Sequence, residues 1–457
     1  MSSITTLNPA TNQKIDTYQL YSPDMTSQIL TEVQATWKSW RQTDFEHRAQ
    51  LMRKAARVLR DNKKSYATMM MQEMGKVHSS GVAEIEKCAW VCEYYADNAS
   101  TFLEREFIES DASSSYISYE PLGVILAVMP WNYPFWQVFR FAAPTLMAGN
   151  CGILKHASNV PGCALLIEDV FIKAGFPDNT FRSLLIPSSD VEAVIENDII
   201  KAVTLTGSGP AGSAVASKAG QHIKKTVLEL GGSDPYLILE DADIALAASQ
   251  CCQSRLLNAG QSCIGAKRFI VVDAIYDAFL EAFKDNMSNA IMGNPVEQVD
   301  LGPMARHDLR DEVHDQVVKS IEKGAKLELG GNVPDHEGAF YPPTILTKVK
   351  PGMPAYDEEI FGPVASVIRV KNEEEAIRVA NDSSFGLGGA VFTKDIKRGE
   401  RIAAQELQSG CCFVNQFVKS DPRLPFGGIK TSGYGRELSY YGIREFVNIK
   451  TVYINNN

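Results

Sequence analysis

The sequence predicts an α/β protein built on largely parallel β-sheets. From Leu122 onward, short apolar runs alternate with segments of helical periodicity, which is typical of strands joined by helical crossovers. The clearest predicted strands are Gly152–Leu154, Ala202–Thr206, Tyr236–Leu239, Phe269–Val272 and Val364–Val370. Of the 457 residues, 45% are apolar and 22% are charged, which argues against disorder. A prior of roughly 150 residues per domain suggests about three domains.

The first hundred residues are predicted to be mainly helical. Apolar residues recur at three- and four-residue spacings from Asp24 to Arg41 and again from Phe45 to Met74. Ser113–Ser118 alternates weakly, as an exposed strand or hairpin does. The run Gly123–Met129 is predicted to be a buried strand, and the segment after Pro134 a core helix.

Charge and cysteine content exclude several classes of function. The chain has 45 Lys and Arg against 55 Asp and Glu, a net charge of −10, and lacks a basic cluster, so we expect no nucleic-acid partner. Its nine cysteines have neither the density of a disulfide framework nor the spacing of metal ligands, so we expect no metal site. No secretory signal is apparent, and a reduced cytoplasmic protein is the simplest interpretation.

One long uncharged stretch raises the alternative of a membrane span. Arg140 is the only charged residue between Glu120 and Lys155. Four prolines interrupt this stretch, and each of them breaks or kinks a helix. We therefore expect no membrane partner.

A glycine-rich turn follows one of the predicted strands. Residues 207–212 read G-S-G-P-A-G, which matches the spacing G-x-G-x-x-G, and they precede the helical segment Ala211–Ala219. In dinucleotide-binding folds such a turn admits a pyrophosphate beside a helix N-terminus. Glu229 lies about twenty residues further on, where that fingerprint places a ribose ligand. A purely structural turn is the alternative.

Four motifs accompany a candidate nucleophile, Cys263, at the end of N-A-G-Q-S-C. A cysteine in such a segment alone is more often a buried thiol. The accompanying motifs are P-W-N at 130–132, L-E-L-G-G at 228–232, E-I-F-G-P-V at 359–364 and P-F-G-G-x-K at 425–430. Together they resemble the motifs of the aldehyde dehydrogenase superfamily, and the resemblance runs from about Asn8 to the C-terminus. Residues 136–140 and 419–421 are most similar to those of bacterial succinate-semialdehyde dehydrogenases.

The resemblance assigns catalytic roles to Cys263, Asn132 and Glu229. Cys263 is expected to attack the aldehyde carbon, and it must be activated because the usual pKa of a thiol is about 8.5. The side-chain amide of Asn132 and the backbone N–H of Cys263 would stabilise the oxyanion. Glu229 would activate water for hydrolysis of the thioester. This role takes precedence over that of a ribose ligand, because L-E-L-G-G matches the base motif of the family.

The resemblance also implies a nicotinamide cofactor. The residues expected to bind it are Trp131, Lys155, Ser158, Gly207, Ser208, Leu230, Glu359 and Phe361. Many NAD-dependent relatives have a glutamate at the position of Ser158, and that charge repels a 2′-phosphate. A hydroxyl there, with the Lys155 ammonium nearby, favours NADP, and NAD is the alternative.

An anionic aldehyde is the expected substrate. A lone arginine in an uncharged stretch needs a partner for its charge. Arg140 is expected to bind the substrate carboxylate with Ser420, and a structural salt bridge is the alternative role. Related enzymes carry a second arginine at the position of Leu257, and this departure leaves other short acidic aldehydes open.

The implied architecture is the aldehyde dehydrogenase fold, in three parts. A Rossmann-like cofactor-binding domain comprises residues 1–101, 122–230 and 431–447, and an α/β catalytic domain comprises residues 231–430. Residues 102–121 and 448–457 would form a β-hairpin element that makes a homodimer or homotetramer. The alternatives are a dehydrogenase for another short aldehyde, a CoA-acylating dehydrogenase and a silent structural protein. Glu229 argues against the CoA-acylating enzyme, and the full catalytic set argues against the silent protein.

Overall fold

Strands recur along almost the whole chain. The computed structural model describes residues 2–456, and the strands in that range are, in chain order, β1 (Ser3–Leu7), β2 (Lys14–Gln19), β3 (Glu106–Phe107), β4 (Ser114–Pro121), β5 (Val124–Met129), β6 (Cys151–His156), β7 (Phe181–Ser183), β8 (Ile200–Thr206), β9 (Lys225–Glu229), β10 (Pro235–Ile238), β11 (Arg268–Val272), β12 (Lys326–Leu329), β13 (Thr344–Thr347), β14 (Val364–Val370), β15 (Gly388–Phe392), β16 (Cys411–Val414), β17 (Gly433–Tyr434) and β18 (Val447–Ile454).

Helices occupy most of the first hundred residues and then alternate with the strands. They are α1 (Pro23–Trp40), α2 (Phe45–Met74), α3 (His78–Phe102), α4 (Trp136–Met147), α5 (Pro161–Ala174), α6 (Val191–Glu196), α7 (Gly209–Gln221), α8 (Ile244–Leu256), α9 (Tyr276–Ser288), α10 (His307–Glu322), α11 (Pro354–Asp357), α12 (Glu373–Asn381), α13 (Ile396–Arg401) and α14 (Ser439–Arg444).

The two N-terminal helices begin where side chains cap them. The Ser22 hydroxyl accepts a hydrogen bond from the backbone N–H of Met25 at the start of α1, and the Asp44 carboxylate caps α2 in the same way. The α2 helix ends at Gly75, which has a left-handed φ of 76°. These helices, and the α/β alternation after Leu122, confirm the sequence predictions.

The expectation of a mainly helical N-terminus is wrong for its first twenty residues. The β1 and β2 strands pair antiparallel, from Ser3 opposite Gln19 to Leu7 opposite Lys14. Both strands are largely exposed and polar, so they lack the strong alternation that predicts a strand.

A six-stranded sheet has the order β17-β9-β8-β5-β6-β7, and all its pairs are parallel except β17 with β9. From β5 the chain first adds β6 and β7 on one side, and then β8 and β9 on the other. The order therefore reverses between β5 and β8. Ligands of parallel sheets bind beyond the carboxyl ends of strands at such a reversal.

A second sheet of seven strands has the order β12-β13-β14-β11-β10-β15-β16. Its pairs are parallel except for β12 with β13. The central strands β10, β11 and β15 are buried along their whole length, as their continuous apolar runs predict.

A third sheet has the order β18-β4-β3. The β18 strand pairs antiparallel with the full length of β4, from Val447 opposite Pro121 to Ile454 opposite Ser114. Several large apolar side chains on this sheet remain exposed, among them Phe107 at 73% and Ile449 at 61%.

Residues 2–456 contain no helix that is both long and apolar enough to span a membrane. The uncharged stretch that raised this alternative is divided between β5, the twelve-residue helix α4 and β6.

Candidate active site

Two cavities meet at Cys263. The first has a volume of about 260 Å³, and its lining includes Trp131, Asn132, Gly207, Ser208, Leu230, Glu359 and Phe361. The second has a volume of about 240 Å³, and its lining includes Lys87, Trp136, Arg140, Leu257 and Ser420. Cys263 and Gln137 line both cavities. The sulfur is therefore accessible to groups bound in either cavity.

The turn before the nucleophile has an unusual backbone. Asn258, Ala259 and Gly260 have consecutive positive φ values of 57°, 54° and 74°. A Cβ at Gly260 would lie 2.2 Å from the carbonyl carbon of Gly362, so only glycine fits there. The left-handed conformation of the two residues before it is costly, and such strain is typical of functional sites.

Lys267 fixes the backbone on the other side of this turn. Its Nζ donates hydrogen bonds to the carbonyl oxygens of Ser262 at 2.9 Å and Cys263 at 2.8 Å. The same ammonium lies 3.2 Å from the carboxylate of Glu359. The turn that carries the nucleophile is thus joined to a residue of the first cavity.

The Cys263 thiol donates to a buried carboxylate. Its Sγ lies 3.8 Å from Oε2 of Glu229, at the carboxyl end of β9. Burial raises the pKa of Cys263 well above its usual range; the charge of Glu229 acts in the same direction, and Arg140 and Lys267 oppose it. The resting sulfur is therefore a protonated thiol that needs a base.

Glu229 has the properties of that base. Burial raises its pKa to about 7, although the Arg140 guanidinium opposes the shift. Its Oε1 is buried and has no hydrogen-bond partner among residues 2–456. A carboxylate with such a pKa can accept a proton near neutral pH and release it again.

Arg140 lies between two carboxylates. Its Nη2 lies 3.2 Å from Oε2 of Glu229, and its Nε lies 2.6 Å from Oε2 of Glu437. All three side chains are buried, and Nη2 also donates to the hydroxyl of Thr206 at 3.2 Å. The structure thus shows the salt bridge expected for Arg140. Because the same side chain lines the second cavity, its contact with the substrate carboxylate stays a prediction.

Two hydrogen bonds orient the Asn132 side chain. Its Oδ1 accepts from Nε2 of Gln137 at 3.0 Å, and its Nδ2 donates to the carbonyl of Gln261 at 3.1 Å. The Nδ2 group has two N–H donors and Gln261 uses one of them, so the other can serve as a donor in the cavity that Cys263 also lines. In addition, no backbone carbonyl of residues 2–456 accepts a hydrogen bond from the Cys263 backbone N–H.

The first cavity lies at the reversal of the six-stranded sheet. Pro130-Trp131-Asn132 follows β5 directly, and Gly207-Ser208 follows β8 and leads into α7. A Cβ at Gly212 would lie 2.5 Å from a methyl carbon of Leu230, so the last glycine of the motif permits close packing of α7 on the sheet. Phe361 packs edge-on against Trp131 with ring centroids 5.8 Å apart.

The structure does not bring Lys155 and Ser158 into the lining of the first cavity. Lys155 lies near the carboxyl end of β6, and Ser158 is exposed in the turn that leads to α5. The Lys155 ammonium donates to the hydroxyl of Ser188 at 3.2 Å, and burial lowers its pKa. Lys155 lies within β6 and Ser158 follows it, and β6 pairs with β5, so both residues lie at the same edge of the sheet.

The second cavity contains a cluster that sequence reasoning found only in part. The Ser420 hydroxyl accepts hydrogen bonds from Nζ of Lys87 at 2.8 Å and from Nε1 of Trp136 at 3.1 Å. The residues missed by sequence reasoning include Lys87, Gln137, Lys267 and Glu437. A lysine on an amphipathic helix does not indicate a binding site in the sequence, because most such lysines lie on the solvated face of the helix. The role of Glu437 becomes apparent only from its ion pair with Arg140, which is distant in the sequence.

Comparisons with known proteins agree with this geometry. A sequence profile described as "Aldehyde dehydrogenase family" matches residues 1–452. A protein of Synechocystis sp. named "Probable succinate-semialdehyde dehydrogenase [NADP(+)]" is 49% identical over 99% of this chain and 100% of its own length. The "Succinate-semialdehyde dehydrogenase [NADP(+)] 1" of Mycobacterium bovis is 47% identical over 99% of both chains.

A solved structure extends the likeness to three dimensions. The succinic semialdehyde dehydrogenase of Streptococcus pyogenes, crystallised in complex with NADP+, is 39% identical and superimposes with a TM-score of 0.97. The match covers 99% of this chain and 100% of that one. With the matched profile and the arrangement of Cys263, Glu229 and Asn132, these likenesses show that the chain belongs to the aldehyde dehydrogenase family.

Proposed function

We propose that this protein oxidises succinate semialdehyde to succinate with NADP+ as the oxidant. The observation that carries the proposal is the position of Cys263, which lines both cavities and lies 3.8 Å from the Glu229 carboxylate. Relatives that are 47–49% identical along nearly the full chain bear the name of this activity. The same relatives support NADP as the cofactor.

The residues of the first cavity fit a dinucleotide. The Gly207-Ser208 turn opens the N-terminus of the thirteen-residue helix α7, which favours a phosphate group. Lys155 has no carboxylate partner in an ion pair among residues 2–456 and lies at the same edge of the sheet. Lys155 and Ser158 would accommodate a 2′-phosphate, and Glu359 would hold the ribose next to the nicotinamide. The bound cofactor supplies an acceptor for the hydride that leaves the substrate carbon.

The first chemical step transfers the thiol proton and forms a carbon–sulfur bond. Glu229 accepts the proton of Cys263 through Oε2 while the sulfur attacks the aldehyde carbon. The oxygen of the thiohemiacetal then carries the negative charge. Asn132 Nδ2 and the Cys263 backbone N–H are the donors for this oxyanion, and loss of one such donor costs about 3 kcal/mol of transition-state stabilisation.

The second chemical step releases the acid. After loss of the hydride the acyl group is a thioester on Cys263, and Glu229 returns its first proton to solvent. Glu229 then takes a proton from water as the water oxygen attacks the thioester carbon. The carbon–sulfur bond breaks, the sulfur takes the proton that Glu229 holds, and the carboxylic acid product releases its proton to solvent and leaves as succinate. The unpartnered Oε1 of Glu229 is an acceptor for the attacking water.

We also propose that each of the three sheets has a separate function. The six-stranded sheet, in residues 122–230 and 431–447 with the N-terminal residues 1–101, would bind the cofactor. The seven-stranded sheet, in residues 231–430, would carry the nucleophile. The sheet formed by residues 102–121 and 448–457 would join subunits, and its exposed apolar side chains support a homodimer or homotetramer.

A panel of aldehydes, each assayed with NADP+ and with NAD+, tests the proposal. We expect the highest kcat/KM for succinate semialdehyde with NADP+, and a lower one for its uncharged amide analogue. A higher kcat/KM with NAD+ would contradict the cofactor, and equal values for the acid and the amide would contradict the substrate.

A further inference from the structure

The helix α4, which follows the turn that carries Asn132, is capped by a residue of another helix. The residue directly before α4 is Phe135, whose side chain cannot accept a hydrogen bond. Instead, Oε1 of Glu84 on α3 accepts hydrogen bonds from the backbone N–H groups of Phe135 and Trp136, both at 2.9 Å. A carboxylate at a helix N-terminus is favourable, so Glu84 holds the first turn of α4 in place.

The Glu84 carboxylate is itself fixed on both of its oxygens. While Oε1 accepts the two backbone N–H groups, Oε2 forms an ion pair with Nζ of Lys76. Both side chains of this pair are buried. A buried carboxylate needs such a partner for its charge, and with both oxygens engaged it cannot rotate away from α4.

The first turn of α4 carries the side chain that contacts Asn132. Gln137 is the second residue of this helix and is buried. Its Nε2 donates to Oδ1 of Asn132 at 3.0 Å, and on the other side of the amide Nδ2 donates to the carbonyl of Gln261 at 3.1 Å. Because a donor faces Oδ1 and an acceptor faces Nδ2, both contacts favour the same one of the two amide orientations.

We propose that Gln137 is a positioning residue for Asn132, and that Glu84, balanced by Lys76, holds Gln137 in the position that this requires. The junction of α3 with α4 then determines where the oxyanion donor lies. This inference rests on the proposed function, because Asn132 is the side-chain donor that the proposed function assigns to the oxyanion. A displacement of about 1 Å in such a site can cost about 100-fold in rate.

A double-mutant cycle tests whether Gln137 acts through Asn132. The measured quantity is the single-turnover rate of NADPH formation from succinate semialdehyde. We expect Asn132→Ala to lower this rate about 10²- to 10³-fold. In the otherwise wild-type enzyme, Gln137→Met should lower it about ten- to hundredfold. In the Asn132→Ala background, the same Gln137→Met substitution should lower it less than about threefold, because residues that act as a unit have non-additive effects.

The role of Glu84 is tested by removing first its oxygens and then only the charges. Glu84→Ala should also lower the rate about ten- to hundredfold, again only while Asn132 is present. The combined variant Lys76→Met/Glu84→Gln keeps an amide oxygen for the two N–H groups and leaves no unpaired charge, so it should recover most of the lost rate. The control is Glu86→Gln, since this half-buried carboxylate lies on the same helix but lines neither active-site cavity. Its rate should stay within about threefold of the wild type.

The outcomes separate this inference from the proposed function. Gln137 lines both cavities, so a direct contact with a ligand is the alternative to positioning. A wild-type rate in Gln137→Met, or an equal loss with and without Asn132, overturns the inference and leaves the proposed function intact. A wild-type rate in Glu84→Ala overturns the part assigned to Glu84. An unchanged rate in Asn132→Ala overturns the oxyanion role that the proposed function gives to Asn132, and the inference with it.

Discussion

The Arg140 guanidinium lies 3.2 Å from the Glu229 carboxylate, and Glu229 in turn lies 3.8 Å from the sulfur of Cys263. A residue that the sequence suggested as a contact for the substrate is thus paired with the candidate base. Glu437, 2.6 Å from Nε on the other side of the guanidinium, completes a buried row of charges. The charge state of this row determines how readily the Cys263 thiol loses its proton.

Replacement of the nucleophile should abolish the reaction. Cys263→Ala should lower kcat at least about 10⁴-fold, because no other group can form the thioester. Steady-state assays with succinate semialdehyde and NADP+ measure the loss. Cys252→Ala is the control, since this half-buried cysteine on α8 lines neither active-site cavity and should keep normal turnover. Substantial turnover by Cys263→Ala would refute the assignment.

The pH dependence should report the ionisation of Glu229. Burial raises its pKa to about 7, and only the carboxylate form can accept the thiol proton. The value of kcat/KM should therefore increase as the pH rises through about 7 and level off above it. A profile that is flat between about pH 6 and 8 would show that Glu229 does not accept this proton.

The neighbours of Glu229 should move this pH profile in opposite directions. Arg140 lowers the pKa of Glu229, so Arg140→Met should shift the acid limb upward by about one pH unit. Glu437 raises the same pKa, so Glu437→Gln should shift the limb downward. Removing one member of a buried ion pair also costs about 3–5 kcal/mol of folding free energy. Shifts of the same sign in both variants would mean that the two residues act only on stability.

Cofactor preference should depend on the charge at position 158. Ser158→Glu places a carboxylate where a 2′-phosphate is expected and should lower the ratio of kcat/KM with NADP+ to that with NAD+ by about tenfold or more. Ser158→Ala, which adds no charge, should change the ratio much less. An unchanged ratio in Ser158→Glu would place the 2′-phosphate elsewhere.

Much of the fold follows from local sequence patterns. The buried strands of both large sheets are continuous apolar runs, and α1 and α2 begin at side chains that cap them. The β1 and β2 strands cannot be predicted from such patterns, because they are short, polar and mostly exposed. Their pairing depends on a turn between them rather than on a buried face.

The active site was predictable where the residues of a motif directly follow a predicted strand. Trp131 and Asn132 follow β5, and Gly207 and Ser208 follow β8, so parallel pairing alone brings them to one edge. The pairing of Arg140 with Glu437 was not predictable, since it joins distant parts of the chain through a buried side-chain contact. The same holds for Lys87 and Ser420, which only tertiary packing brings within 2.8 Å.

Trapping of the acyl group in Glu229→Gln tests the roles of Cys263 and Glu229 most directly. The amide side chain can accept a proton neither from the thiol nor from water. Formation of the thioester then depends on the small fraction of Cys263 that ionises without a base and should be slow, and its hydrolysis should be slower still. The thioester should therefore accumulate during a long incubation of the enzyme with succinate semialdehyde and NADP+. Mass spectrometry of the quenched and digested protein should find one succinyl group, on the peptide that contains Cys263. An unmodified Cys263 in an enzyme that still turns over, or a succinyl group on another residue, would contradict the assignment of Cys263 as the nucleophile and Glu229 as the base.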